Sequence, residues 1–181
     1  MSKYFGLLDG KMGQNKILQL FFENPSKDFQ VRGIAKLLKI PKSSVSYQIQ
    51  PLLKKGIVSR KATGVFPCYV ANARSEKYCF YKRQDAIERM LDSGLLDYLE
   101  KETNPRCIIL FGSFAKAEYD TTSDIDIFIQ ANEKALDLAK FEKKLKHPVN
   151  ALFGQDLSKI SDELLNNIIN GIKLRGFIKI K

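Results

Sequence analysis

The sequence predicts an α+β protein made of two small domains joined by a helical connector. Three observations predict this organisation. The first half of the chain has helix-length apolar patterns followed by two short strand-like runs. The second half alternates apolar strand-like runs with helical segments, and the charge changes from basic to nearly neutral between the halves. At 181 residues, the chain is long enough for two domains of this kind.

Positive charge is concentrated in the N-terminal half. The first 83 residues contain 16 lysines and arginines against 4 acidic residues, whereas the rest of the chain contains 14 against 16. A basic half joined to a nearly neutral half indicates a polyanionic partner for the first half alone. General solubilising charge is the alternative explanation.

Three helices and two strands are predicted in the first half. The apolar patterns predict helices over 15–23, 31–38 and 43–55, and strands over 57–60 and 68–71. Ser43 is a suitable N-cap for the third helix, and Gly56 is a suitable stop. Pro51 lies inside that helix and predicts a kink or the loss of one hydrogen bond.

This order of elements resembles a winged helix-turn-helix domain, here assigned to residues 1–73. The matching segments are Ile34-Ala35-Lys36-Leu37-Leu38, the turn Ile40-Pro41-Lys42, Ser43-Ser44-Val45-Ser46-Tyr47, and Leu52-Leu53-Lys54-Lys55-Gly56-Ile57-Val58. The resemblance implies that the third helix enters the major groove of double-stranded DNA and that the hairpin contacts the adjacent backbone.

Carried over by position, the resemblance also implies a set of DNA-binding residues. Those facing the bases would be Ser43, Ser44, Ser46, Tyr47 and Gln48. Those contacting phosphates would be Lys42, Lys54, Arg60 and Lys61. Helix capping is the alternative role for the serines. Winged helices that bind protein or RNA are alternatives for the domain as a whole.

Residues 74–101 have a largely helical pattern that Gly94 interrupts. We therefore expect a helical connector over 74–89, followed by the first helix of a second domain over 90–181. Three aromatic residues of the connector, Tyr78, Phe80 and Tyr81, have the chemistry to stack on bases. Packing between domains or subunits is the favoured alternative.

The second domain contains the most informative segment of the chain. An apolar run ends in Gly112-Ser113, ten residues follow, and a second apolar run contains Asp124-Ile125-Asp126. Side chains repeat every second residue in a strand, so both aspartates would project from one face. Adjacent carboxylates repel each other, and a divalent cation relieves that repulsion. Solvated aspartates beside a Gly-Ser turn are the alternative.

The whole segment resembles the nucleotidyltransferase fold of the polymerase-beta type, in its small stand-alone form. Phe111-Gly112-Ser113 and Asp124-Ile125-Asp126-Ile127 match the signature of that family. The resemblance implies a small α/β domain with a mixed sheet that takes ATP or another NTP together with Mg²⁺ or Mn²⁺. Asp124 and Asp126 would be the metal-binding and catalytic residues. Gly112, Ser113 and Lys116 would bind the nucleotide, although Lys116 is equally well explained as a surface lysine.

The next strand raises a doubt about catalysis. A helix is predicted over 133–146, a strand over 148–153 and a final edge strand over 177–180. Active members of the fold commonly place a third carboxylate on the strand after the helix, and by position that residue is Asn150. An amide ligates Mg²⁺ through its oxygen but adds no negative charge and cannot act as a base. Asp156 would substitute only if its loop folded back.

Several function classes are not expected. There is no apolar run of membrane-spanning length, and the N-terminus has no long apolar core of the kind found in secretory signals. Three widely spaced cysteines and one histidine, His147, predict reduced thiols rather than a zinc site. His147 itself is expected to have a capping or surface role. A cytoplasmic protein that does not associate with membranes is the resulting expectation.

Two functions of different classes follow. The first is a DNA-binding transcriptional regulator whose nucleotidyltransferase-type domain binds NTP and Mg²⁺. The second is an active nucleotidyltransferase that moves a nucleoside monophosphate onto a hydroxyl of a protein or nucleic acid. The family resemblance adds a toxin–antitoxin pair, with a second protein as partner. A homodimer on a palindromic site is a further open alternative.

Overall fold

The computed structural model of the protein describes residues 12–62 and 66–178. These residues fold into two compact units, the first ending at Lys82 and the second beginning at Arg83. No helix in the described ranges is long and apolar enough to cross a membrane.

The first unit consists of three helices, a two-stranded hairpin and the start of a fourth helix. Its elements are α1 Met12–Glu23, α2 Val31–Leu38, α3 Lys42–Lys54, β1 Val58–Lys61, β2 Cys68–Ala71 and α4 Glu76–Ser93, which continues past the unit boundary. The two strands are antiparallel, with Val58 opposite Ala71. The element order agrees with the prediction from the sequence. Residues 63–65, which belong to the predicted connection between the strands, lie outside the described residues.

Helix α3 begins one residue earlier than expected. Its N-cap is Pro41, so Ser43 lies within the first turn and is not the cap that its sequence position predicted. Pro51 is accommodated inside the helix, which continues to Lys54. Gly56 then takes a φ of +69°, the left-handed conformation that glycine tolerates, and ends the helical segment as predicted.

The core of the first unit is aromatic and aliphatic. Phe21 and Phe29 meet edge to face, and Phe22 meets Tyr78 of α4 in the same way. The Tyr78 hydroxyl is fully buried and donates a hydrogen bond of 3.0 Å to the carbonyl of Phe21. Tyr78 therefore packs within this unit, whereas Phe80 remains substantially exposed and contacts Tyr81.

The second unit is a four-stranded mixed sheet with helices. Beyond the C-terminal part of α4, its elements are α5 Leu95–Thr103, β3 Cys107–Phe111, α6 Gly112–Lys116, β4 Ile125–Ile129, α7 Ala139–Leu145, β5 Val149–Phe153, a 3₁₀ turn Leu157–Lys159, α8 Asp162–Ile169 and β6 Ile172–Gly176. The strand order is β5-β4-β3-β6. Only β4 and β5 are parallel, while β3 is antiparallel to both of its neighbours.

The prediction of a helix over 133–146 is wrong for the first half of that range. Helix α7 starts only at Ala139, because side-chain hydrogen bonds hold the residues before it in a non-helical conformation. The Tyr98 hydroxyl accepts from the Asp137 amide, and the Asp137 carboxylate accepts from the Ala139 amide. An aspartate that bonds to the backbone two residues on favours a turn over a helix.

The final edge strand was also predicted too late in the chain. Strand β6 follows directly on Gly171, where a Cβ would lie 2.5 Å from the carbonyl of Leu110, so glycine lets the chain approach β3 immediately. The strand ends at Gly176, which has a φ of +66°. Phe177 and Ile178 lie beyond it, and residues 179–180 of the predicted strand lie outside the described residues.

Apolar packing supports one face of the sheet. The buried members of this core are Cys107, Ile109, Phe128, Leu157 and Ile168. Burial raises the pKa of the Cys107 thiol, which favours its protonated form. All three cysteines of the chain are free, as expected.

Candidate functional site

The predicted Gly-Ser and Asp-x-Asp motifs lie side by side at one end of the sheet. Phe111 at the end of β3 is paired with Asp126 of β4. Gly112 follows with a φ of +68°, and a Cβ at this position would lie 2.2 Å from Asp126 Oδ2. Both the backbone conformation and the neighbouring carboxylate therefore require glycine at position 112. The close approach leaves the Asp126 carboxylate against bare backbone.

A third strand contributes the residue next to the two carboxylates. Asp126 is paired with Asn150 across the parallel ladder of β4 and β5. The Asn150 amide nitrogen lies 3.3 Å from Asp124 Oδ2 and 3.3 Å from Asp126 Oδ1, and it donates to both. The three side chains form one polar cluster, in which Asp124 and Asn150 are exposed and Asp126 is half-buried.

The oxygen atoms of this cluster have the chemistry of ligands for a divalent cation. The two carboxylates share one amide donor and would offer their oxygens to a common ion, and oxygen ligands suit Mg²⁺ and Mn²⁺. A rotation of the Asn150 amide by half a turn would offer its oxygen in place of its nitrogen. Within the described residues, no group of three or more His, Cys, Asp or Glu side chains is placed to hold a metal ion. The third member of the set is therefore a neutral amide.

Other predicted site residues lie on or near α6. Ser113 is half-buried in its first turn, and Lys116 is exposed in its last. Asp156 is engaged elsewhere, since its Oδ1 accepts from the amide of Ser158 at 3.0 Å and from the hydroxyl at 2.7 Å. Those two donors hold the pKa of Asp156 below its usual range, and the residue caps the 3₁₀ turn that follows.

Comparison with known families agrees with this geometry. Residues 94–174 match the family model described as polymerase beta, nucleotidyltransferase. The match covers a little under half of the chain and includes both motifs and Asn150. Together with the mixed sheet, it supports a nucleotidyltransferase-type domain in the second unit. No curated protein matches the chain.

The first unit has a separate candidate site on the outer face of α3. Val45, Ile49 and Leu52 are buried and define the inner face of this helix. The opposite face is exposed along the whole helix and bears Lys42, Ser43, Ser46, Tyr47, Gln50 and Lys54. The aromatic residue of this face, Tyr47, has 81% of its surface exposed. Polar and aromatic side chains on an exposed helix face have the chemistry to contact base edges in the major groove.

Two members of the predicted DNA-facing set lie at the margin of this face. Ser44 is half-buried, and so is Gln48, which lies toward the packed side of the helix. The Oε1 of Gln48 is buried and has no hydrogen-bond partner among the described residues. Gln50 is exposed beside Tyr47 and was missed by the sequence analysis. The helical period counted from Val45, Ile49 and Leu52 would have found it.

The predicted phosphate-contacting residues lie on the surface of the unit. Arg60 and Lys61 are exposed on β1, and Lys61 forms an ion pair of 3.0 Å with Asp28. Exposed ion pairs of this kind contribute little stability, so Lys61 can exchange Asp28 for another anion at small cost. A further basic side chain, Arg32, lies over the exposed ring of Phe66 at 5.1 Å.

One functional candidate in the second unit had no sequence signal. His147 was expected to cap or to lie at the surface, but only 3% of it is exposed. Its Nδ1 lies 2.7 Å from the carbonyl of Ser123, the residue before Asp124. The partner is a backbone group distant in sequence, which no residue pattern identifies.

Proposed function

We propose that the protein is a DNA-binding transcriptional regulator of the winged helix-turn-helix class whose second domain binds a nucleoside triphosphate with Mg²⁺. The observation that carries the proposal is Asn150, a neutral amide between Asp124 and Asp126 in the position where a third carboxylate would serve catalysis. The basic charge of the first half supports DNA as the second ligand.

The second domain would bind a cation but would lack a third carboxylate that could act as a general base. Asp124 and Asp126 would hold Mg²⁺, which when bound offsets the charge of a triphosphate. Gly112 leaves room beside Asp126 for close approach of the ligand, and Ser113 and Lys116 supply a hydroxyl and a positive charge. Asn150 cannot take a proton from an attacking hydroxyl. Such a site binds the nucleotide and slows or prevents its transfer.

Calorimetric titration of Mg²⁺–ATP and Mg²⁺–GTP tests the nucleotide site. The proposal expects binding to the natural protein and none to the Asp124→Ala/Asp126→Ala double variant. The matched control is Glu133→Ala, which removes a carboxylate from an exposed position in the same unit. Absence of binding to the natural protein would refute the nucleotide part of the proposal and leave DNA as the ligand to study.

The salt dependence of DNA binding tests the first domain. Contacts from Lys42, Lys54, Arg60 and Lys61 predict that the logarithm of the association constant falls with the logarithm of salt at a slope of about −3.6. Removing one of these cations, as in Arg60→Ala, should reduce the slope by about 1. Affinity that does not change between low and physiological salt would contradict DNA binding by this face.

The alternative is an active nucleotidyltransferase, which Gly112, Ser113, Asp124 and Asp126 favour. Under this hypothesis the protein transfers a nucleoside monophosphate from NTP–Mg²⁺ to a hydroxyl of a protein or nucleic acid, alone or with a partner protein. Incubation with α-labelled NTPs and candidate acceptors would yield labelled product. Asp124→Asn would abolish that product, and unchanged labelling would exclude this site as its source.

A further inference from the structure

The backbone on both sides of Asp124 is held by two consecutive residues of another segment. The carbonyl before Asp124, that of Ser123, lies 2.7 Å from His147 Nδ1. The amide after Asp124, that of Ile125, donates to the carbonyl of Pro148 over 2.8 Å. Asp124 itself precedes the first residue of β4, so these two contacts position it as the strand ladder positions Asp126.

The hydrogen bond to Ser123 shows that Nδ1 of the imidazole carries a proton. A carbonyl oxygen only accepts, so His147 Nδ1 carries a proton and donates. Since the ring is buried, losing this donor would leave the Ser123 carbonyl without its nearest partner in a poorly solvated place. The contact therefore restrains the peptide that leads into Asp124, and with it the backbone from which the Asp124 side chain projects.

The same imidazole also contacts the element that follows Gly112. Its ring lies edge-on to Phe114 of α6, with centroids 5.0 Å apart, and edge-on to Tyr119 at 6.2 Å. Phe114 and Tyr119 are buried and stack face to face at 3.9 Å. Packing of this kind restricts the imidazole to one orientation. His147 thus touches both halves of the motif, α6 through Phe114 and the aspartates through Ser123.

We infer that His147 is a positioning residue for the cation site: its Nδ1–H holds the Ser123–Asp124 peptide so that the Asp124 carboxylate stays beside Asp126. The inference rests on the proposed cation site, although the contacts that define it do not. His147 does not touch the cation or the nucleotide in this scheme. It acts through the backbone, and its role is analogous to that of the outer groups that hydrogen-bond metal ligands and hold them in place.

Two substitutions separate the hydrogen bond from the ring packing. His147→Phe keeps an aromatic ring against Phe114 and removes the donor. His147→Asn keeps a nitrogen donor near the position of Nδ1 and removes the ring. Ile168→Val, in the core of the same unit and away from the motif, serves as a control for mild loss of packing.

Mn²⁺ affinity, measured by electron paramagnetic resonance on the full-length protein, is the first readout. His147→Phe should weaken Mn²⁺ binding about 10-fold to 100-fold, the range found when groups behind metal ligands are removed. His147→Asn should recover much of that loss, and Ile168→Val should bind as the natural protein does. Equal affinity in His147→Phe and the natural protein, or equal losses in all three variants, would overturn the inference.

Amide hydrogen exchange at Ile125, followed by NMR, is the second readout and needs no metal. It should be faster in His147→Phe than in the natural protein, and unchanged in Ile168→Val. If the natural protein binds no Mn²⁺, the proposed cation site fails and this exchange measurement alone decides the role of His147. Unchanged exchange at Ile125 in His147→Phe would refute that role.

Discussion

Gly112 and Asp126 lie so close together that a side chain at position 112 would displace the carboxylate. A Cβ on Gly112 would lie 2.2 Å from Asp126 Oδ2, far inside the contact distance of the two atoms. The φ of +68° adds a second obstacle, because residues with a Cβ rarely adopt it. The turn and the position of the Asp126 carboxylate therefore depend on the same residue.

Gly112→Ala should therefore abolish Mg²⁺–NTP binding and lower the free energy of unfolding by about 1–2 kcal/mol, the cost of a left-handed residue with a Cβ. Calorimetry and denaturant unfolding measure the two effects. Gly33→Ala is the matched control, since Gly33 lies in α2, has no positive φ, and would have no atom within 4 Å of an added Cβ.

The control should change stability in the opposite direction. Alanine in a helix interior is favoured over glycine by about 0.5–1 kcal/mol, so Gly33→Ala should stabilise the first unit slightly. Nucleotide binding should not change. Intact nucleotide binding in Gly112→Ala would show that Asp126 can move aside without loss of the site, contrary to this interpretation.

Asn150→Asp tests whether the neutral amide limits the affinity of the proposed site for a cation. Without metal, a third carboxylate beside Asp124 and Asp126 should lower the unfolding temperature, because like charges repel at this distance. With Mn²⁺, the same change should tighten binding, since a negative ligand replaces a neutral one. Unfolding temperatures with chelator, and the dissociation constant for Mn²⁺, measure these effects.

A distant asparagine provides the comparison. Asn132→Asp introduces the same charge at an exposed position beyond the far end of β4 and should leave both quantities unchanged. If Asn150→Asp also produced labelled nucleotidyl product where the natural protein makes none, the amide would be the cause of inactivity. Unaltered Mn²⁺ affinity in Asn150→Asp would place the cation elsewhere.

The sequence predicted the strands that carry the candidate residues more accurately than the segments between them. Apolar runs define β3, β4 and β5, and the pairing of these strands brings Gly112, Asp126 and Asn150 together. What the sequence did not predict depends on single contacts between distant residues. His147 is buried with its Nδ1 against the carbonyl of Ser123. The segment before Ala139 is not helical, and there the Asp137 amide donates to Tyr98 and the Asp137 carboxylate accepts from Ala139. Neither set of contacts produces a periodic pattern of residues in the sequence.

Gln50 and Gln48 should respond differently to substitution, because only Gln50 is exposed on the outer face of α3. If that face reads DNA, Gln50→Ala should weaken binding to a selected duplex by about 1–3 kcal/mol, the range for loss of one base contact. Its affinity for non-specific duplex should change little. Selection from a randomised duplex library supplies the site, and fluorescence anisotropy measures binding.

Gln48→Met should instead act on stability. The buried Oε1 of Gln48 has no partner among the described residues, and an unsatisfied acceptor costs about 1–3 kcal/mol. An apolar side chain of similar length should therefore stabilise the first unit and leave DNA binding intact. Weaker DNA binding in Gln48→Met than in Gln50→Ala would reverse the assignment and restore Gln48 as a contact residue.

Tyr78 should make the stability of the first unit depend on alkaline pH. Burial raises the pKa of its phenol, and the nearby Cys79 and Glu23 raise it further. The folded state therefore binds the proton more tightly than the unfolded state, in which tyrosine titrates near pH 10. This stabilising contribution is complete below about pH 10 and is lost as the pH rises toward the folded-state pKa.

Tyr78→Phe should remove this pH dependence and also the hydrogen bond to the Phe21 carbonyl, at a cost of about 1 kcal/mol near neutral pH. Denaturant unfolding followed by circular dichroism, at about pH 8 and about pH 11, gives the difference between the two proteins at each pH. The difference should shrink or reverse at the higher pH. Tyr81→Phe, on the same helix but half-buried, serves as the control. A difference that stays constant between the two pH values would mean that the Tyr78 hydroxyl titrates normally in the folded protein.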